Sequence, residues 1–257
     1  MLRSIACWNV VLLMVSCAAA ADKAPAAQGL RADSSLDQIL DALHARDKDL
    51  NDFDADVRLT ETDSVTQASY ARSGKVLFQK KSGGDARLRV VFDKKEDKPT
   101  ADKDEYLLEN GWLTERHYRR RSEIRRQVTR PGEKINLLKL GEGPFPLPIG
   151  QDKQEVYRLF DVQKIQGDKN DPSGTVHVQL KPKPQTQFAR KFLTIDVLVD
   201  PSTNMPTRIV TEDRNRTTVR TTELSNLRIN PHLENKDFEL SKIGDDWYRV
   251  EEAYSEQ

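Results

Sequence analysis

Between Asn51 and Glu61, Phe53, Ala55, Val57 and Leu59 alternate with Asp52, Asp54, Asp56 and Arg58. A two-residue period of this kind marks a strand with one face against apolar matter and the other in water. The pattern returns at Val76 and Phe78 within Tyr70–Lys80, and at Leu88, Val90 and Phe92 against Arg87 and Arg89. Glu105–Arg130 reads as a meander. Two strands meet at Asn110-Gly111, the residue pair that a tight type I′ hairpin turn favours because both positions need positive φ. After that turn Trp112, Thr114, Arg116 and Tyr118 share one face, and a further alternation follows at Ile124, Arg126 and Val128. Strands resume with Val176, Val178 and Leu180, then with Leu193, Ile195, Val197 and Val199. Thr207–Glu212 and Thr217–Glu223 pair around Asp213–Arg216. Short turns link successive strands with no intervening helix in the first half, which favours one large antiparallel sheet over βαβ units. Lys94–Lys103 is charged and carries Pro99, so it is expected to be an exposed loop.

A helical period interrupts this pattern first. Leu36, Ile39, Leu40 and Leu43 fall at i, i+3, i+4 and i+7, with Ser34 or Ser35 placed to cap the start and Asp37 in the first turn. The helix should end near Lys48. Its stripe fits a core-packing helix or a lid over a cavity. A short helix is expected at Glu133–Leu140 and another at Asp152–Phe160. Between them Gly141–Gly150 holds three prolines and three glycines, which forbids regular helix or a central strand. Phe145, Leu147 and Ile149 alternate with those prolines, so the loop either packs on the core or forms the mouth of a cavity.

The N-terminus changes what counts as fold. Arg3, the apolar run Val10–Val15 and the small residues Ala18–Ala21 form a secretory signal, too short to span a bilayer. Both cysteines, Cys7 and Cys17, lie in it, so the mature chain would contain none. Met14-Val15-Ser16-Cys17 approaches a lipoprotein signal, in which Cys17 would be the lipidated first residue. The expected organisation is a signal over 1–21, a flexible leader over 22–35, one domain over 36–245 and a polar tail over 246–257. Charge is balanced at 41 basic and 41 acidic residues, which argues against a dedicated nucleic-acid binder.

Candidate chemistry is sparse. Asp52, Asp54 and Asp56 have D-x-D spacing but lack the glycine and distal glutamate of a calcium loop; on a strand they line one solvated face. His44, His117, His177 and His232 are too scattered for a metal signature. No G-x-S-x-G, P-loop or Rossmann glycine pattern occurs. The expectation is therefore a protein that is not an enzyme, with no cofactor and no metal. Seven arginines run from Arg116 to Arg130. They either coat a solvated face or meet anionic head groups or an acidic partner, with Arg119, Arg120 and Arg121 as the candidates. Asn215-Arg216-Thr217 fits an N-glycosylation acceptor.

The order of these features resembles the periplasmic outer-membrane lipoprotein carriers, the LolA-type family and its lipoprotein-sorting relatives. The pieces that carry the resemblance are LDQILDALHARDKDLNDFDADVRLTE, the hairpin EYLLENGWLTERHY, the break GEGPFPLPIG, and VHVQLKPKPQ followed by FLTIDVLVDPSTNMPTRIVTED. It covers roughly residues 35–240. The resemblance implies a mainly β (α+β) fold: one curved antiparallel sheet forming an open half-barrel, its concave face covered by a helical lid. It implies a periplasmic, monomeric carrier of lipoprotein or lipid acyl chains, loaded by an inner-membrane release complex and emptied at an outer-membrane acceptor. On alternation, the cavity would be lined by Phe53, Val57, Leu59, Val76, Phe78, Leu88, Val90 and Phe92. The lid and mouth would present Leu36, Ile39, Leu40, Leu43, Phe145 and Leu147. Lipidation at Cys17 would instead make the chain a membrane-anchored receptor or envelope sensor on the same fold.

Overall fold

The computed structural model describes residues 29–254 apart from 32, 82–84, 131, 134–148, 168 and 170. The expected signal over 1–21 with Cys7 and Cys17, most of the expected helix at 133–140, and Phe145 and Leu147 lie outside the described residues. Among those described, no helix is long and apolar enough to cross a membrane.

Helix α1 spans Leu36–Asp49. Ser35 caps it: its hydroxyl accepts from the Gln38 amide, while the Gln38 side chain accepts from the Ser35 amide. This capping box satisfies two of the orphan donors at the helix start. Six strands follow: β1 (Asp52–Asp63), β2 (Ser69–Lys80), β3 (Ala86–Lys95), β4 (Lys98–Glu109), β5 (Trp112–His117) and β6 (Ser122–Gln127). After α2 (Lys153–Leu159) come β7 (Phe160–Ile165) and β8 (Val176–Pro182). The short α3 (Gln187–Lys191) precedes β9 (Phe192–Asp200), β10 (Met205–Asp213), β11 (Thr218–Ile229) and β12 (Tyr248–Glu252).

The strand order is β12-β6-β5-β4-β3-β2-β1-β11-β10-β9-β8-β7. Two meanders, β1–β6 and β7–β11, are thus zipped together along one antiparallel seam between β1 and β11. β12 and β7 stand at opposite edges, so the sheet is an open half-barrel rather than a closed one. Irregular register at Asp54/Asp56, Ser73/Gly74, Phe92/Lys94 and Pro206/Arg208 marks bulges, which bend strands and increase their twist. At Gly74 the strands come so close that a Cβ would sit 1.8 Å from the Val91 carbonyl oxygen.

Two expectations change. Lys94–Lys103 is not a loop: β3 and β4 continue through it and turn at Glu96 and Asp97, both with positive φ. Pro99 is tolerated because β4 pairs with β5 only from Asp104 onward, so around Pro99 one edge of β4 is unpaired. Nor is the segment after 246 simply a polar tail. Tyr248–Glu252 adds to β6 as a parallel strand, with Arg125 paired to Glu251 at 2.9 Å and Arg126 to Glu252 at 2.6 Å. It is the one parallel pairing in the described sheet.

Between β11 and β12 the chain straps across the convex face. The Asp52 carboxylate of β1 accepts from the amides of His232 and Leu233. Gln79 of β2 donates to the Leu233 carbonyl at 2.7 Å. From β3, Arg87 stacks on Phe238, 4.0 Å from the ring centre, and Arg89 donates to the Asp237 carbonyl at 2.8 Å. Arg116 of β5 donates to the Ser241 carbonyl. Trp247 then packs edge-on against Tyr118.

Candidate functional site

The pleat sends Phe53, Val57 and Leu59 of β1 to the concave side, with Val76 and Phe78 of β2 and Leu88, Val90 and Phe92 of β3 in register beside them. That side has a filled half and a hollow half, and the hollow's walls at Leu88, Val90, Phe92 and Leu108 belong to the same buried core cluster.

In the filled half, Phe53 and Phe78 stack at 5.3 Å between ring centres. With Val57 and Val76 they join the main core cluster, which also holds Ile39, Leu40 and Leu43 of α1, Val156 of α2 and Ile149. Leu36 packs partly buried against it. The α1 stripe is therefore buried in core, and Phe53, Val57, Val76 and Phe78 are core residues that do not border the hollow.

The hollow half is a cavity of about 350 Å³. Leu59, Leu88, Val90 and Phe92 line it, joined by Tyr106, Leu108 and Leu113 from the Asn-Gly hairpin. The second meander supplies the facing wall with Phe192, Ile209, Thr211 and Thr222. Both meanders are needed, because the floor of the cavity is the β1–β11 seam, where Leu59 pairs with Thr222.

The hairpin contributes the face opposite to the one that carries Trp112, Thr114 and Arg116. The two-residue turn, with Asn110 at φ 53° and Gly111 at φ 75°, places Leu108 opposite Leu113 and Glu109 opposite Trp112. Leu113 therefore points into the cavity. Trp112 goes to the convex side, where Arg125 stacks over its ring at 4.2 Å. Counting back from the turn would have selected Leu108 and Leu113. Nothing local marks Phe192 or Ile209 as their neighbours.

One end of the cavity is polar. Arg72 donates from Nη1 to Asp104 at 3.0 Å and approaches Glu61 at 3.5 Å. Its guanidinium lies over the Phe92 ring, 4.8 Å from the centre. Its Nε is buried with no hydrogen-bond partner. Arg220 shares Glu61 at the same 3.5 Å. Burial pushes the Tyr106 phenol above its ordinary pKa, with Arg72 opposing. The other oxygen of Asp104 meets His117 Nδ1 at 2.9 Å, and His117 belongs to a second, open hollow with Lys95, Asp102, Arg119 and Arg120.

The arginine run is mostly committed within the fold. Arg116 binds Glu123, Arg121 binds Asp246, and Arg126 binds Glu115 and Glu252. Of the three candidate contact residues, Arg119 and Arg120 border the second hollow, whereas Arg121 is tied beside β12. Among the described residues, no group of three or more His, Cys, Asp or Glu side chains is arranged to hold a metal ion.

No family model matches the sequence, and no curated protein matches it. Solved structures similar in fold include MucB, at 11% identity and a TM-score of 0.45, over 83% of this chain and 64% of that one. This chain therefore spans less than two thirds of that protein's length. LprF from Mycobacterium bovis is similar at 13% identity and a TM-score of 0.36, over 76% of this chain and 93% of that one. A LolA superfamily protein from Nitrosomonas europaea is similar at 12% identity and a TM-score of 0.35, over 80% of this chain and 98% of its own. The structural neighbours of this chain thus include LolA superfamily members, at low sequence identity.

Proposed function

We propose that the protein is a periplasmic carrier that binds the acyl chains of a lipoprotein or other lipid in its concave cavity and delivers them toward the outer membrane. The observation that carries this reading is the composition of the hollow half. Its walls are mainly apolar side chains such as Leu88, Val90, Phe92 and Leu108, with the charged lining residues Arg72 and Arg220 both beside Glu61. Burying an acyl chain gains about 0.8 kcal/mol per methylene, so such a cavity favours aliphatic chains without needing a directional motif. A secreted carrier of this kind would exchange its cargo with an inner-membrane release complex and an outer-membrane acceptor. The test is mass spectrometry of organic extracts from the protein purified from its native envelope. Acyl lipid or lipoprotein at near one-to-one ratio is expected. A preparation free of lipid that also fails to bind a fluorescent fatty-acyl probe would overturn the reading.

The sequence Met14-Val15-Ser16-Cys17 favours a second reading, a membrane-anchored receptor or envelope sensor using the same cavity. The intact mass of the mature N-terminus separates the two. A diacylated Cys17 selects the anchored form, and a chain starting near Ala21 selects the free carrier.

A further inference from the structure

The polar end of the cavity is built unlike its walls: Arg72 and Arg220 balance Glu61 and Asp104, and the surplus positive charge lies in the adjoining hollow. Glu61 is shared by Arg72 and Arg220, each at a long 3.5 Å. Asp104 is already engaged by Arg72 on one side and His117 on the other. Asp102 faces Lys95 at 3.7 Å. Among the described residues no carboxylate pairs with Arg119 or Arg120, which border the adjoining hollow of about 580 Å³. The Arg72 Nε–H is a buried donor with no acceptor, a group that costs free energy until an acceptor reaches it. The Arg72–Asp104 pair is the shared wall between the apolar cavity and the basic hollow.

We infer that the cavity selects an anionic amphiphile, with its acyl chain between the two meanders and a phosphate head group at Arg72, extending toward Arg119 and Arg120. This rests on the acyl-binding reading above and adds the head-group class to it. A phosphate oxygen would supply the acceptor that Arg72 lacks and replace the long contact to Glu61. Guanidinium suits this task because its planar donors bind phosphate oxygens in pairs. A neutral head would leave the same donors unsatisfied, so discrimination follows from the cost of an unmade hydrogen bond.

Isothermal titration of the purified mature chain against two probes of equal chain length tests this. One is a lysophosphatidylglycerol, the other a monoacylglycerol. The anionic lipid should bind about tenfold tighter, the ratio expected for one charge-assisted hydrogen bond. Arg72→Gln should bring the ratio of the two affinities, measured within the variant, to about one. The double variant Arg119→Gln/Arg120→Gln, on the rim of the hollow and outside the core, should reduce the ratio in part. Inorganic phosphate at millimolar concentration should not displace the lipid, because the chain provides most of the affinity. Equal affinities for both lipids in the wild type would overturn the head-group inference and leave acyl binding standing. Binding of neither lipid would overturn acyl binding itself. Full displacement by inorganic phosphate would recast the polar end as a free-phosphate site and overturn the inference.

Discussion

Arg89 reaches Glu105 across the β3–β4 ladder, Nε to Oε1 at 3.1 Å, and Glu105 is wholly buried beneath the C-terminal strap. The Tyr118 hydroxyl donates to the other carboxylate oxygen at 3.1 Å. Glu105→Ala would leave Arg89 and Tyr118 without their acceptor. Breaking one side of a buried pair of this kind costs about 3–5 kcal/mol. Urea unfolding should show the loss as a lower midpoint at unchanged slope. A change under about 1 kcal/mol would mean that water replaces the carboxylate.

Deleting residues 246–254 uncovers the β6 edge. An unpaired edge is a template for another chain. Light scattering should then show a larger mean mass per particle than the intact chain gives at the same concentration. A truncated chain with an unchanged mean mass and melting temperature would assign no protective role to β12.

Gly74→Ala places a methyl group against the Val91 carbonyl at the β2–β3 bulge. Overpacking of this type costs about 1–3 kcal/mol, and here backbone must move. Ser73→Ala, on the neighbouring position, should stay within about 0.5 kcal/mol. Thermal melts of the two variants make the comparison.

Leu113 and Leu59 are partly exposed to the cavity, so added bulk there has space to enter. Leu113→Trp should fill the acyl site and weaken binding of a fatty-acyl probe about tenfold, the loss expected from excluding two methylenes at about 0.8 kcal/mol each. The folding midpoint should hold, whereas the same change at buried Phe78 should unfold the protein. Unaltered affinity in Leu113→Trp would place the acyl chain elsewhere.

His177 on β8 lies between two carboxylates, Nε2 to Asp196 at 2.9 Å and Nδ1 to Asp171 at 3.3 Å. The hydrogen bond to Asp196 raises its pKa above the ordinary histidine value, burial opposes it, and the two negative charges add to the rise. A raised folded-state pKa contributes stability that is fully present below the unfolded value of about 6.5 and is lost as pH rises through the folded value. His177→Gln should therefore cost about 1 kcal/mol more at about pH 5.5 than at about pH 9. A pH-independent cost in urea titrations would assign His177 a packing role only.

Much of the sheet was legible because alternation is a local property. Phe53 through Leu59, Val76 with Phe78, and Leu88 through Phe92 all face the side that the period-two pattern assigns to them. Which of these core-facing residues also border the cavity was not legible. That division depends on where α1 comes to rest, and on a second wall that begins at Phe192. The β12 strand escaped notice because Tyr248–Glu252 lacks apolar alternation and pairs in parallel through a long connection. Arg119 and Arg121 look alike in sequence. They differ in the structure because Asp246, far along the chain, returns beside only one of them.

The β1–β11 seam joins Phe53 to Ile229 and Leu59 to Thr222, so partners on either side are separated by most of the chain. Pairing at such distance closes slowly, because loop closure must precede any reward from contact. The consequence concerns timing. A chain that folds from its N-terminus can form the β1–β6 meander early, yet that meander presents only one bank of the cavity. The cavity comes into existence when the last long strand docks. On the carrier reading proposed above, an acyl chain would therefore be loaded only after folding is complete.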